Sequence, residues 1–266
     1  MSNRPTGKVN FDNAERVLIV TGGSSGIGLA IGQAFARSGG TVYSFDIQPP
    51  QSGTAPEGAL HYIETDVSDE SQCQESIARV MEREGGIDVL VNNAVIQPVE
   101  SYVPVDQLDG QLWTRMLGVN VSGYTFMAKH VLPRMKKQQS GVIVNMASAQ
   151  AHRTAREVSA YGPTKAANLL QAKQWGVEYA RSGIRVVSIS PGAIDTPLVR
   201  ASLELQGGEA ELANRHPLGR LGQPEEIANA VLWLSSQGAS FITAEDLAVD
   251  GGLGGLASFA DPYKMS

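Results

Sequence analysis

Two side chains that could move a proton stand four positions apart in Tyr161-Gly-Pro-Thr-Lys165. On a helix that spacing puts the phenol and the ammonium on one face, about one turn apart. Pro163 fits such a helix only in its first turn, so the helix must begin close to Tyr161. A phenol is a weak base at neutral pH, and an adjacent cation favours phenolate and moves its pKa toward the working range. Tyr161 could then exchange a proton with an alcohol or a carbonyl. Alone the pair is weak, because any Tyr and Lys at this spacing meet on a helix. Ser148 strengthens it. It lies just beyond the apolar run Gly141–Asn145, where its hydroxyl can hold a substrate oxygen, although alone it reads as an ordinary loop residue.

A second constellation precedes these residues. Val17 to Val20 form an apolar run that leads directly into Thr21-Gly-Gly-Ser-Ser-Gly-Ile-Gly28 and then a helical pattern. Gly22, Gly26 and Gly28 let backbone approach a pyrophosphate while the helix start offers free N–H groups to it. The spacing differs from the commoner Gly-x-Gly-x-x-Gly and lacks the Lys-Ser/Thr of a P-loop. The bland alternative is a tight turn that serves strand–helix packing. Asp46 ends the next apolar run, close to the offset of about 20 residues expected for a carboxylate on the adenosine ribose. It would repel the extra phosphate of NADP, and neither Ile47 nor Gln48 supplies a cation, so NAD is the expected cofactor. The other reading of Asp46 is a cap after a strand. Arg37 reads as a solvated helix-end charge.

These groups need a scaffold, and the pattern supplies one. Apolar runs at Val17–Thr21, Thr41–Asp46, His61–Thr65, Val89–Asn92, Gly141–Asn145, Arg185–Ser190 and Asp246–Val249 alternate with helical stretches. The helices read as Gly28–Ser38, Ser71–Glu84, Leu108–Gln138, Tyr161–Arg181 and Pro224–Leu234. The alternation predicts an α/β fold, a single-domain, Rossmann-type doubly wound parallel sheet with helices on both faces, over the 266 residues. Gln48–Gly58 reads as a loop. Residues 195–224 break the alternation with two short helices and read as a substrate lid or a static excursion.

Composition excludes several functions. A net charge of −6 offers no basic surface for nucleic acid. Cys73 is the only cysteine, so no intrachain disulfide can form, and the four histidines show no metal-ligand spacing. No signal peptide or long apolar segment is seen, so no membrane partner and a cytoplasmic location are expected.

Taken together, the motifs resemble those of the classical short-chain dehydrogenases/reductases across essentially the whole chain, ending at Val249-Asp250-Gly251-Gly252. Asp66-Val67, Asn92-Asn93-Ala94, Gly118-Val119-Asn120-Val121 and Pro191-Gly-Ala-Ile-Asp-Thr196 stand in the family's order. The resemblance implies a catalytic set of Asn120, Ser148, Tyr161 and Lys165. Tyr161 would be the acid/base, and Lys165 would bind the nicotinamide ribose and lower the Tyr161 pKa. Ser148 would orient the substrate oxygen, and Asn120 would hold a water that relays protons through Lys165. Asp66 and Val67 would hold the adenine, Asn92 would support sheet and cofactor, and Ile194 and Thr196 would contact the carboxamide. The cofactor-binding set is then Gly22, Ser24, Ser25, Gly26, Ile27, Gly28, Asp46, Ile47, Asp66, Val67, Asn93, Ala94, Pro191, Gly192, Ile194 and Thr196, with Tyr161 and Lys165.

Two departures stand out. Val95 replaces the glycine of the family's Asn-Asn-Ala-Gly, where a branched side chain narrows the pocket or shifts backbone and disfavours positive φ. Ala244-Glu245 stands where a glycine is usual before the last strand.

The expected activity is NAD-dependent interconversion of a secondary alcohol, polyol or sugar hydroxyl and its ketone. The alternatives are an NADP-dependent 3-oxoacyl reductase, against which Asp46 argues, and a non-catalytic NAD-sensing scaffold, whose mark would be a broken tetrad. Pocket walls are expected from Val95, Gln150, His152, Val158 and Leu198, which leaves polar and apolar substrates both open; Arg153 and Arg156 read as a solvated loop edge. Leu112, Met116, Val119 and Phe126 on one long helix, with Ala166, Leu169, Leu170, Trp175 and Val177 on the other, suggest helix faces shared with a second copy. The resemblance implies a homotetramer, with a dimer as the alternative.

Overall fold

The computed structural model describes residues 7, 9–50 and 60–256. Seven parallel strands form one sheet in the order β3-β2-β1-β4-β5-β6-β7. They are β1 (Val17–Thr21), β2 (Thr41–Asp46), β3 (Leu60–Glu64), β4 (Val89–Asn92), β5 (Gly141–Met146), β6 (Ile184–Pro191) and β7 (Asp246–Val249). β1, β4 and β5 are buried at every position, as strands covered on both faces must be, and this is why they read as unbroken Val/Ile/Leu runs. The chain reverses its direction of winding between β1 and β4, and the C-terminal ends of the strands open a crevice there.

Helices cover both faces. α1 (Gly26–Arg37) and α8 (Pro224–Ser235) pack on one face, where Ile31, Phe35, Ile227 and Val231 meet Leu18, Val20, Val89 and Val144. α2 (Glu70–Glu84), α4 (Gly123–Gln138) and α5 (Tyr161–Tyr179) cover the other, with Ile77, Val80, Met127, Val131 and Ala172 against Ile19, Leu90 and Ile143. Local signals fix the ends. Asp69 accepts the Ser71 and Gln72 amides at the start of α2, and Gly85 closes that helix at φ 75°. Pro224 opens α8, beside a reciprocal Gln223–Glu226 capping box.

The structure differs from the sequence reading at several edges. α1 starts at Gly26, not Gly28, and the last turn after α5 tightens to a 3₁₀ turn at Ala180–Ser182. The expected helix Leu108–Gln138 is two helices, α3 (Gly110–Leu117), capped by Asp109, and α4, joined by a π turn over Gly118–Ser122. Segment 195–224 holds the two short helices α6 (Pro197–Arg200) and α7 (Glu209–Asn214). Of the expected loop Gln48–Gly58, residues 51–59 lie outside the described residues.

Candidate active site

The cofactor loop is built by stitching two strand ends together. The Thr21 hydroxyl accepts the amides of Asn93 at 2.9 Å and Ala94 at 3.0 Å, while the Asn93 side-chain amide donates to the carbonyls of Thr21 and Gly22. This draws the loop after β4 onto the loop after β1 so closely that a Cβ on Gly22, at φ +64°, would stand 2.9 Å from Ala94 Cα. A Cβ on Gly28 would run into the Gly22 carbonyl. Ser25 is the N-cap of α1 but makes no side-chain cap bond, so the first amides of the helix are left to an external acceptor. Ile27 and Ser24 belong to the same turn.

Asp46 meets this loop from the end of β2. Its Oδ2 accepts the Ser24 amide at 3.0 Å and its Oδ1 the Gln48 amide at 3.2 Å, while the Ser24 hydroxyl donates to the Gln48 carbonyl. The carboxylate therefore braces the loop as a cap would, and its remaining lone pairs face the rim. Ile47 is exposed beside it, and Arg37 is exposed at the end of α1. Asp66 turns its Oδ1 to the amide and hydroxyl of Ser68. The Val67 side chain is core, pressed against α4 where a Cβ on Gly123 would meet it at 2.8 Å, so only its backbone remains for a ligand. Glycines that backbone crowding requires and an uncapped helix start suit a dinucleotide pyrophosphate.

On the nicotinamide side, Ile194 is buried and bridges to Gly222, while the Thr196 hydroxyl caps α6 through the Val199 amide. The Thr196 methyl lies 3.3 Å from where a Gly26 Cβ would be, which brings the end of β6 to the phosphate loop. Gly192 faces the buried His216. That ring takes its proton on Nδ1 for the Leu212 carbonyl and accepts the Ala193 amide at Nε2, tying α7 to the strand end.

The catalytic set converges at the C-terminal end of β5. Ser148 is the N-cap of a 3₁₀ turn at Ala149–Ala151, accepting the Gln150 amide at 3.1 Å, and its hydroxyl is close enough to the Tyr161 phenol to oppose a rise in its pKa. Tyr161 is the first residue of α5, with Pro163 in the first turn as its chemistry requires. Lys165 is buried one turn on, its Nζ donating to the Met146 carbonyl at 2.7 Å and to the Tyr124 hydroxyl at 3.3 Å. Burial pushes the Tyr161 phenol up to about 12; Ser148 opposes this and the nearby Tyr102 phenol adds to it.

The Lys165 Nζ stands 5.7 Å from the Tyr161 ring centroid, and desolvation by burial brings Lys165 itself down to about 7.

Asn120 sits in the π turn. Its side chain clamps Ile96 through both amide and carbonyl at 2.9 and 3.0 Å, and its own carbonyl accepts Asn168 Nδ2 at 2.7 Å. With that one donor the carbonyl keeps a second lone pair. Asn168 and Asn145, which the sequence reading passed over, extend the chain of amides to Asn92, whose Nδ2 donates to Asn145 Oδ1 at 2.9 Å. Two asparagines at matching positions of apolar strands, in register as Asn92 and Asn145, were the available signal. Tyr102 was also passed over. Burial raises its phenol pKa, with Ser202 of the 195–224 segment opposing.

The expected pocket walls are only partly gathered. Val158 is buried and bridges to Val103, and Val95 lies outside positive φ, so its branch is accommodated without backbone strain. Leu198 lies on α6, partly buried. Gln150 follows Ser148, with its Oε1 buried and without a protein partner. His152 instead points its Nε2 at Asp246 of β7 at 2.8 Å, where Ser188 and Ser190 also donate to that carboxylate. It is committed to the sheet edge. Arg153 is not merely solvated, since its guanidinium holds the carbonyls of Gly254 and Leu256.

Comparison with known proteins decides the family. A family profile described as Enoyl-(Acyl carrier protein) reductase matches residues 22–254. The chain is 39% identical over 248 residues to cis-4-hydroxycyclohexanecarboxylate dehydrogenase of Sinomonas cyclohexanicum, covering 90% of this chain and 96% of the relative. It belongs to the short-chain dehydrogenases/reductases. Among solved members of this family, the ligand-free aldohexose dehydrogenase of Thermoplasma acidophilum superposes with a TM-score of 0.87 at 36% identity, covering 94% of this chain and 98% of that one. A 3-ketoacyl-(acyl-carrier-protein) reductase of Brucella melitensis complexed with NADH gives 0.82 at 30% identity, covering 91% and 99%.

Proposed function

We propose that the chain is an NAD-dependent oxidoreductase that interconverts a secondary alcohol, a polyol or sugar hydroxyl included, and its ketone. The observation that carries this reading is the convergence of Ser148, Tyr161 and Lys165 at the end of β5, beside a loop whose glycines cannot bear side chains and whose rim carries Asp46. The nicotinamide, when bound, accepts or supplies the hydride. The protein's own part is to place the substrate oxygen and its proton. Ser148 holds that oxygen, and Tyr161 takes the hydroxyl proton in oxidation or returns it in reduction. Lys165, when charged, favours Tyr161 phenolate from 5.7 Å off the ring centroid. Asp46 would accept the ribose hydroxyls, and Pro191, Gly192, Ile194 and Thr196 would line the nicotinamide end.

The aldohexose and cyclohexanecarboxylate dehydrogenases among the relatives support a ring-borne secondary alcohol. A 3-oxoacyl reductase is the second reading, favoured by the Brucella melitensis relative and opposed by the Asp46 carboxylate. A panel of cyclic alcohols, sugars and 3-oxoacyl thioesters with each nicotinamide cofactor separates them. Alcohol oxidation with NAD is expected, and turnover of Tyr161→Phe is expected to fall about 10²-fold or more with NADH binding nearly intact. Preference for NADPH and an acyl thioester would establish the second reading.

Segment 195–224 serves here as the substrate lid, following directly on the C-terminal end of β6. The working form is proposed to be a cytoplasmic homotetramer. Among the described residues no helix is long and apolar enough to cross a membrane.

A further inference from the structure

Tyr124 has no role in the arrangement just described, yet it is among the largest fully buried side chains of the protein. It stands in the first turn of α4, directly after the π turn that carries Asn120, and it faces inward while its neighbour Thr125 is exposed. Its hydroxyl donates to the Met146 carbonyl at 3.2 Å. Lys165 Nζ donates to the same carbonyl at 2.7 Å and to the Tyr124 oxygen at 3.3 Å. Lys165 Nζ thus lies between two phenol rings, 5.3 Å from the centroid of Tyr124 and 5.7 Å from that of Tyr161.

A phenylalanine would fill this core position equally well, and the Met146 carbonyl would keep Lys165 as a donor. The oxygen of Tyr124 has one evident use, as a second acceptor for an amine buried away from water. An ammonium has three N–H groups to satisfy, and each one lost in a desolvated site is costly. We propose that Tyr124 is a positioning residue for Lys165, its hydroxyl oxygen fixing Nζ beneath Tyr161 and sustaining the charged form of the amine there.

The ionisable groups that face Lys165 are Tyr124 from α4 and Tyr161 from its own helix; Tyr102 faces Tyr161 from the loop before α3, and β5 presents only the Met146 carbonyl. Burial already holds Lys165 near 7. Loss of an acceptor should lower it further.

The test is Tyr124→Phe in the full chain, with Lys165 followed by carbon-13 NMR at its Cε and its signal assigned by loss in Lys165→Met. The Lys165 titration midpoint is expected to fall by about one pH unit, and coincident titrations would overturn the proposal. Tyr124→Leu removes the ring as well. It should reproduce that shift with added loss of stability; a shift in Leu but not Phe would show that ring packing is the cause and would also overturn the proposal. In alcohol oxidation, Tyr124→Phe should lower kcat at neutral pH by about fivefold, leave the alcohol KM within about twofold, and displace the pH–rate profile. A fall in rate with an unmoved profile would refute a role through Lys165. The rate arm rests on the reaction proposed above, whereas the titration does not, so inactivity of the parent toward every alcohol would count against that reaction alone.

Discussion

At the scale of single residues, two carboxylate and amine placements carry the selectivity and the pH response. Asp46 is tied to Ser24 and Gln48, so it cannot swing away from an incoming adenosine ribose. Replacing it and supplying a cation next door act in one direction on a 2′-phosphate. Asp46→Ala with Ile47→Arg is expected to move cofactor preference toward NADP(H) by roughly 1–3 kcal/mol, read from the ratio of kcat/KM values. Lys165 makes a different statement. Its folded pKa of about 7 lies below the ordinary lysine value of 10.5, so between these values the unfolded chain binds the extra proton. Stability contributed by this site therefore rises as pH rises through that window. Lys165→Met abolishes the effect, and the urea midpoint of the parent is expected to gain on that of the variant between about pH 7 and about pH 9.5. A constant difference would show that Lys165 stays charged in the fold.

At the scale of elements, close approach rather than propensity sets several positions. Gly176 lies in the last turn of α5, where alanine would be the better helix former by up to about 1 kcal/mol. There the helix touches the turn before β7, and a Cβ would stand 2.6 Å from Ala244 N and 2.8 Å from its Cα. Ala244 cannot retreat easily, since it is held at φ 59° with its amide on the Val186 carbonyl at 2.7 Å. Gly176→Ala is accordingly expected to destabilise by about 1–3 kcal/mol in urea unfolding, the overpacking cost exceeding the helical gain. A stabilised variant would mean that α5 and β7 separate freely.

At the scale of the molecule, α5 shows where a second copy would lie. Its apolar residues divide: Ala172 and Trp175 meet the chain's own core, while Leu170 and Val177 remain 65% and 74% exposed. Ala166, Leu170 and Val177 follow helical spacing along that outer stripe. Met116, expected to be available to a partner, is instead fully buried in its own chain, and Val119 and Phe126 pack partly against the core. Leu170→Glu is therefore expected to lower the mass seen by light scattering from four chains to two or one, and to reduce activity with it through the helix that carries Tyr161 and Lys165. A monomeric parent would refute the assembly, and a fully active monomeric variant would refute the coupling.

The sequence by itself determined the sheet, the order of the motifs and the face on which Tyr161 and Lys165 meet. All seven strands appear within one residue of their apolar runs, and β1, β4 and β5, covered on both faces, write their burial into every position. Glycines in the phosphate loop were equally legible, since a backbone contact excludes every other residue type. Only the tertiary structure decided that His152 serves the sheet edge, that a π turn interrupts the long helix at Asn120, and that Lys165 meets Tyr124 and the Met146 carbonyl. Periodicity reports which side of a helix is buried. The acceptor that a buried amine finds depends on how α4, α5 and β5 are rotated and slid against one another, and that is set by the packing of side chains far apart in sequence.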